Sequence, residues 1–407
     1  MRWTWMILPA LCLAGCRGEG APAKAVYTPR VVTVPPQQVH SRSGTMLLTE
    51  IATGFDHPWA VAFLPDGSML VTERPGRLRA IRNGRVSEPL QGLPDIFVDG
   101  QAGLLDVAIS PTFGHDRLVY LSFAEPNFRG NKAGTAVMRG RLTEGALEAV
   151  EVIYRQAPKL SSGTHVGSRL VFDDSGHLWV TQGENRVAET AQQLDKLQGK
   201  LVRIWPDGSI PDDNPFVGKS ARPEIWSLGH RNMQGAALHP VTRQLWTSEH
   251  GPMGGDEINI PQAGRNYGWP VVTSGKDYSG SPVPGSVGAS AEGMEPPHYV
   301  WTVSPGVSGM VFYTGNLIPQ WKGNLFVGAL ATHELIRLEL SGDSVLAEER
   351  LLTDRNERIR DVRQGPDGAL YLLVDADAPG GKLLRIGPST PKDSAGGAPL
   401  ATPSRVQ

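Results

Sequence analysis

Four groups of polar residues in a 407-residue chain share a setting that would let them act together. Gln101 lies in Asp99-Gly-Gln-Ala-Gly-Leu-Leu-Asp106 and His165 in Gly163-Thr-His-Val-Gly-Ser-Arg169. Arg231 and Asn232 follow Gly229-His230, and Arg358 and Arg360 flank Ile359. Each group stands immediately before, or at the start of, a short apolar run that reads as a strand. The set is neutral to cationic, with one histidine as the obvious base. Amide and guanidinium donors of this kind suit a polyanionic ligand, with a substrate above it from which His165 could take a proton. Taken singly, each residue has a plainer reading. A lone histidine before a strand more often makes a structural hydrogen bond, and an arginine more often a surface ion pair. Recurrence of the same position tips the balance, because surface charges have no reason to repeat there.

The densest polar stretch runs from 230 to 269. It includes Ser248-Glu-His-Gly-Pro252, Gly254-Gly-Asp-Glu-Ile-Asn259 and Asn266-Tyr-Gly-Trp269. Glu257 and Tyr267, with turn carbonyls at Gly251 and Pro252, make a hard, cysteine-free, oxygen-rich set. Such donors favour Ca²⁺ over Zn²⁺ or copper, although the spacing matches no EF-hand loop. The plainer reading of Asp256 and Glu257 is that they cap loop backbone. No Walker loop, dinucleotide fingerprint or nucleophile elbow is present.

The elements that must position these residues announce themselves as a repeat. Ala60-Val-Ala-Phe-Leu-Pro-Asp-Gly-Ser-Met-Leu-Val-Thr72 reads as strand, Pro-Asp-Gly turn, strand. The unit recurs from Leu170, Ala237 and Val362, and more loosely from Val107 and Met310. A third strand follows many copies, as in Gly76-Arg-Leu-Arg-Ala-Ile81 and Gly381-Lys-Leu-Leu-Arg-Ile386. Six small antiparallel units in a chain with 48 glycines and 33 prolines predict an all-β, six-bladed β-propeller of four-stranded blades. In that fold, residues preceding the inner strands converge on one end of the central channel. The longest insertion, about 249–309, marks the functional face.

The ends read differently. Arg2, an apolar run Trp3–Leu13 and Leu13-Ala-Gly-Cys16 predict a lipoprotein signal peptide over 1–15, with acylation of Cys16. Residues 16–43 read as a tether, 44–387 as the propeller and 388–407 as a disordered tail. With Cys12 removed and Cys16 acylated, the folded part has neither free thiol nor disulfide. That predicts a periplasmic protein held to a membrane through Cys16 by lipid alone. A net charge of −2 gives no footprint for nucleic acid.

The motifs now point to a family. Gly100-Gln-Ala-Gly-Leu-Leu-Asp106, His165-Val-Gly-Ser-Arg169, Gly229-His-Arg-Asn232, Glu249-His-Gly-Pro252, Gly255-Asp-Glu-Ile-Asn259, Asn266-Tyr-Gly-Trp-Pro270 and Arg358-Ile-Arg-Asp361 form an ordered set. Over roughly 50–387 the chain resembles the soluble aldose sugar dehydrogenases that use pyrroloquinoline quinone (PQQ), of the glucose/sorbosone dehydrogenase group. The resemblance implies a six-bladed propeller and oxidation of an aldose at C1 to the lactone. His165 would remove the anomeric hydroxyl proton while hydride passes to C5 of PQQ, and Arg231 would stabilise charge on the C5 oxygen. Gln101, Asn232, Arg358 and Arg360 would hold the cofactor, with Tyr278 at its pocket. Gly251 and Pro252 would bind the Ca²⁺ that polarises the quinone, and Glu257 and Tyr267 a structural Ca²⁺. Electrons would leave to an external acceptor, a quinone or redox protein. Two departures stand out. Ala331-Thr-His333 occupies a place where many relatives carry a basic residue, for which His333 or Arg337 would have to substitute. The loop Val303–Gly309 is also irregular. The rival readings are a calcium-dependent propeller lactonase and a non-catalytic propeller that binds a glycan or a protein.

Overall fold

The computed structural model describes residues 27–389. The expected signal peptide, Cys16 and all but the first two residues of the expected tail lie outside them.

Strand and turn form where the sequence alternates and breaks. In the first unit, Pro58–Phe63 and Met69–Glu73 pair antiparallel across Pro65-Asp-Gly67. Gly67 adopts φ +82° and its N–H donates to the Leu64 carbonyl, while Asp66 accepts from the Ser68 N–H. Only a residue without a Cβ takes that φ freely. Asp173 and Asp367 play the same part in the third and sixth units.

The units are six antiparallel sheets, the blades of a propeller. Their innermost strands are Pro58–Phe63, Leu104–Ile109, Leu170–Phe172, Met233–Leu238, Val307–Phe312 and Ile359–Gln364. Each matches a strand expected from the repeat. Three further strands follow outward in blades 1 to 5. Blade 6 is built differently: outside Leu370–Val374 and Gly381–Pro388 its next strand is Gly44–Phe55, from the other end of the chain.

That closure corrects the expected tether. Arg30–Val31 and Gln37–Ser41 are strands, both paired with Gly44–Phe55, so the folded part begins well before residue 44. Pro388, assigned to the tail, ends the last strand.

The hydrophobic core is a ring of inter-blade clusters. Leu70, Leu104 and Phe123 join blades 1 and 2. Tyr120, Leu170 and Ile204 join blades 2 and 3, and Trp179, Met233 and Ala236 join 3 and 4. Trp246 meets Phe312 between blades 4 and 5, and Phe326 meets Leu372 between 5 and 6. Phe55, Val61 and Leu383 seal blade 6 to blade 1. Along the axis the core is ionic. Arg169 reaches Asp106 at 3.2 Å and Asp361 at 2.8 Å, and Arg363 reaches the same two carboxylates at 2.6 and 3.0 Å. Buried charges survive because each is paired and hydrogen-bonded. The network ties blades 2, 3 and 6 together beneath the channel mouth.

Candidate cofactor and active site

A cavity of about 750 Å³ opens at one end of the axis, within the range of small-molecule sites. Chain geometry explains its lining. In an antiparallel blade the start of the first strand and the end of the second lie at the same edge. Gln101 and Val166 come from the first position; Arg74, Gly251, Leu330 and Asp375 come from the second.

A further device sits at the start of the inner strands. Register shifts occur at Pro58/Ala60, Leu104/Val107, Met233/Gly235, Val307/Met310 and Ile359/Asp361. A bulge re-aims the residue it carries. Trp59, Gln234 and Arg360 occupy three of these bulges and all line the cavity. The 249–309 insertion supplies the rim, including Lys276, exposed Tyr278 and exposed Val303.

His165 lies just beneath this lining, buried, beside Val166. Its Nδ1 is 2.7 and 2.9 Å from the two Glu184 carboxylate oxygens, themselves buried. A carboxylate only accepts, so Nδ1 carries the proton and Nε2 keeps its lone pair. Burial lowers the His165 pKa below its ordinary value; Glu184 opposes this, while Arg231 and Arg186 reinforce it. The ring is therefore a neutral base at pH 7. Its backbone holds φ +52°, a strained value for a side chain of this size, and its backbone N–H donates to Oε1 of the Gln101 side chain at 2.9 Å.

The arginines divide into two classes. Arg358 and Arg360 line the cavity. Arg358 donates to Asp375 and to the Leu330 carbonyl, and Arg360 to Gln234 at 2.7 Å. Burial pushes the Arg360 pKa down to about 10, so it stays charged. Asp375 is held well below the carboxylate range despite its burial, by His57 and by Arg360 and Arg358. Arg231 is buried behind the lining. Its Nη1 donates to the Gly251 carbonyl at 2.7 Å and to that of His250 at 3.2 Å, and its guanidinium carbon is 5.1 Å from the Trp269 ring centre. Asn232 is fully buried, its side-chain Oδ1 taken by Gly167 N–H and the Gln234 amide. The structure thus brings Gln101, Tyr278, Arg358, Arg360, Gly251 and Pro252 to one cavity. It sets His165, Arg231 and Asn232 directly behind it.

Among the described residues no group of three or more His, Cys, Asp or Glu side chains is placed to hold a metal. An ion would depend on carbonyls. Those of His250 and Gly251 fit that demand, since they already converge on a positive group, Arg231. A Cβ on Gly251 would meet the Gly254 carbonyl at 2.3 Å, so only glycine lets the loop close here. Asp256 staples the surroundings: its carboxylate accepts from the N–H groups of Gly251, Gly306 and Val307. That is the capping role read from sequence, and it also fixes the irregular 303–309 loop. Glu257 lies apart from the cavity, its pKa raised well above the carboxylate range by burial and then by Glu249. A buried carboxyl facing another is a place where a cation would replace a proton. The Tyr267 hydroxyl donates to the Ile260 carbonyl, and its ring stacks on His230.

His333 and Arg337 do not line the cavity. His333 is bonded to Asn356, and Arg337 is buried on Asn324, Glu339 and Glu349. Arg74 and Lys276 supply additional positive charge instead. Sequence reading missed these two, with Trp59, Gln234, Glu184 and Asp375. Arg74, Glu184 and Asp375 follow second strands closely, the signal that could have found them.

Comparison with known proteins follows the same lines. A model of the family described as "Glucose / Sorbosone dehydrogenase" matches residues 55–385. The chain is 52% identical over 338 residues to the aldose sugar dehydrogenase of Escherichia coli (strain K12), spanning 82% of this chain and 90% of that one. It is similar to a crystal structure of glucose dehydrogenase, with TM-score 0.82, 54% identity, and coverage of 84% of this chain and 99% of that one. It is also similar to the PQQ-bound form of an aldose sugar dehydrogenase from Streptomyces coelicolor, with TM-score 0.70, 26% identity, and coverage of 90% and 99%.

Proposed function

The chain belongs to the glucose/sorbosone dehydrogenase family, and from that premise we propose that it is a PQQ-dependent aldose sugar dehydrogenase, oxidising the sugar at C1 to the lactone. One observation carries the reading: a neutral, carboxylate-held His165 stands at the edge of a large cavity lined by Arg74, Lys276, Arg358 and Arg360. A tricarboxylate cofactor fits this charge. The acidic lining residues do not oppose it, because Asp256 is consumed by backbone N–H groups and Asp375 by Arg358 and His57.

The chain's own residues divide the work. Nε2 of His165 takes the proton of the anomeric hydroxyl, and Glu184 stabilises the imidazolium that forms. Arg358 and Arg360 hold the cofactor carboxylates, with Gln101 at the cavity wall. Arg231 lies close enough to the base and the Gly251 loop to stabilise developing negative charge. Tyr278 and Val303 shape the opening through which the sugar enters. When bound, PQQ supplies a two-electron acceptor for the hydride lost from C1. A calcium ion on the carbonyls of Gly251 and Pro252 would polarise it, and Glu257 and Tyr267 would serve a second ion. An external quinone or redox protein would be the final electron acceptor. The signal sequence supports a periplasmic protein tethered through acylated Cys16.

The direct test is reconstitution with PQQ and Ca²⁺, followed by dye reduction on a panel of aldoses. Saturable reduction with lactone as product supports the assignment. Tight PQQ binding with no reduction on any aldose would overturn it. Placement at the membrane has its own check: Cys16→Ser is expected to move the protein from the membrane to the soluble fraction and to abolish palmitate labelling.

A further inference from the structure

We propose that Arg231 is the resident cation of the 250–251 loop, and that it and a divalent ion exclude one another at the Gly251 carbonyl, so that ion binding frees the guanidinium to face the cavity. The inference rests on the calcium reading above and deepens it.

Three observations converge. Arg231 is only 5% exposed, yet among the described residues no carboxylate pairs with its guanidinium. Its charge is met instead by two carbonyl oxygens, those of Gly251 and His250, and by the face of Trp269. Its Nε, also buried, has no partner. Such an arrangement satisfies a cation incompletely and leaves it able to move.

The Gly251 carbonyl cannot serve two cations equally well. Calcium binds oxygen at about 2.3–2.6 Å, so an ion there would stand within a few ångströms of the guanidinium, with no free negative charge between. Asp256, the nearest acid of the loop, has its oxygens committed to the N–H groups of Gly251, Gly306 and Val307. Repulsion then moves the guanidinium, since the carbonyl is fixed by the Gly251 loop. The free Nε and the face of Trp269 mark the side it leaves. Arg231 already acts electrostatically on His165 and His250, so its displacement is felt at the base. Loading the metal would thus set the position of a positive group in the site as well as polarising the cofactor.

The test is calcium binding by calorimetry to cofactor-free protein in a Glu257→Gln background. Glutamine at 257 is nearly isosteric with the side chain it replaces and removes the second ion site, so that calcium bound at the 250–251 loop is what the calorimeter reads. Arg231→Gln is expected to bind calcium on the order of tenfold more tightly, as relief of a competing cation requires. Arg231→Lys keeps a charge able to reach the carbonyl and is expected to stay near the parent affinity. Calcium is also expected to change the tryptophan emission of the parent, with the change absent in Trp269→Phe. The emission test stands even where Arg231→Gln does not fold. Equal or weaker binding by folded Arg231→Gln, or a calcium response that does not depend on Trp269, overturns the inference and leaves the dehydrogenase assignment intact. No calcium binding by any variant, with sugar oxidation by PQQ preserved, overturns it together with the calcium part of the proposed function.

Discussion

A carboxylate on Nδ1 decides which nitrogen of His165 can act, and that choice is open to measurement. His165→Ala is expected to bind PQQ as tightly as the parent while kcat falls by about 10²–10⁴, the usual worth of a positioned base. Spectral titration and steady-state turnover check the two halves separately. The pH dependence follows from the lowered His165 pKa. A base works only when deprotonated, so kcat/KM rises as pH rises through the folded pKa. Its acid limb is expected below the ordinary histidine value of about 6.5. Glu184 is the influence that raises this pKa, so Glu184→Gln is expected to move the limb to still lower pH and to slow turnover by loosening the tautomer. A limb that stays put or moves up removes Glu184 from this role. At this scale the sequence was legible for Gln101, His165, Arg358 and Arg360, whose types recur at one position. It was not legible for Glu184, 19 residues after His165, because nothing local distinguishes a carboxylate aimed at an imidazole from one that faces water.

At the scale of elements, strand and turn chemistry were readable because alternation and Asp-Gly turns are local signals. The bulges that open the inner strands were not. A bulge adds one residue to an otherwise regular pattern, so Trp59 and Gln234 read as ordinary strand residues although both line the cavity. The loop staple was half readable: capping by Asp256 followed from its type, but the partners at Gly306 and Val307, about 50 residues on, did not. Asp256→Ala strips three backbone N–H groups of their acceptor. It is expected to destabilise the protein by about 1–3 kcal/mol for each N–H left buried, and to weaken PQQ binding because the 251 and 303–309 loops lose a common anchor. Chemical denaturation and cofactor titration measure these; an unchanged midpoint with unchanged affinity would show that water replaces the carboxylate.

For the whole molecule, six blades could be counted from the repeat, but the closing strand could not be found. Gly44–Phe55 pairs with Gly381–Pro388 across more than 300 residues, and no pattern in one segment points to the other. The sequence reading therefore started the folded part at 44, short of the two strands that precede it. Ala52 is completely buried in this closing strand, within the cluster that contains Phe55 and Leu383. Ala52→Asp places an unpaired charge there and is expected to cost about 4 kcal/mol or more, seen as a lower denaturation midpoint and as early proteolysis of the N-terminal segment.

The same closure sets a timetable. The strand that completes blade 6 is synthesised before blades 1 to 5, and its partner after them. Until Gly381–Pro388 is made, one edge of Gly44–Phe55 is unpaired while the other carries only the short strands Arg30–Val31 and Gln37–Ser41, and the Phe55, Val61 and Leu383 cluster cannot assemble. Unpaired edges of this kind invite association with other chains, and contacts so distant in sequence form slowly. Blades 1 to 5 can each form from contiguous chain as it emerges, but the ring is committed only at the end. Production of this protein should therefore be limited by escape from aggregation before completion rather than by the stability of the finished ring.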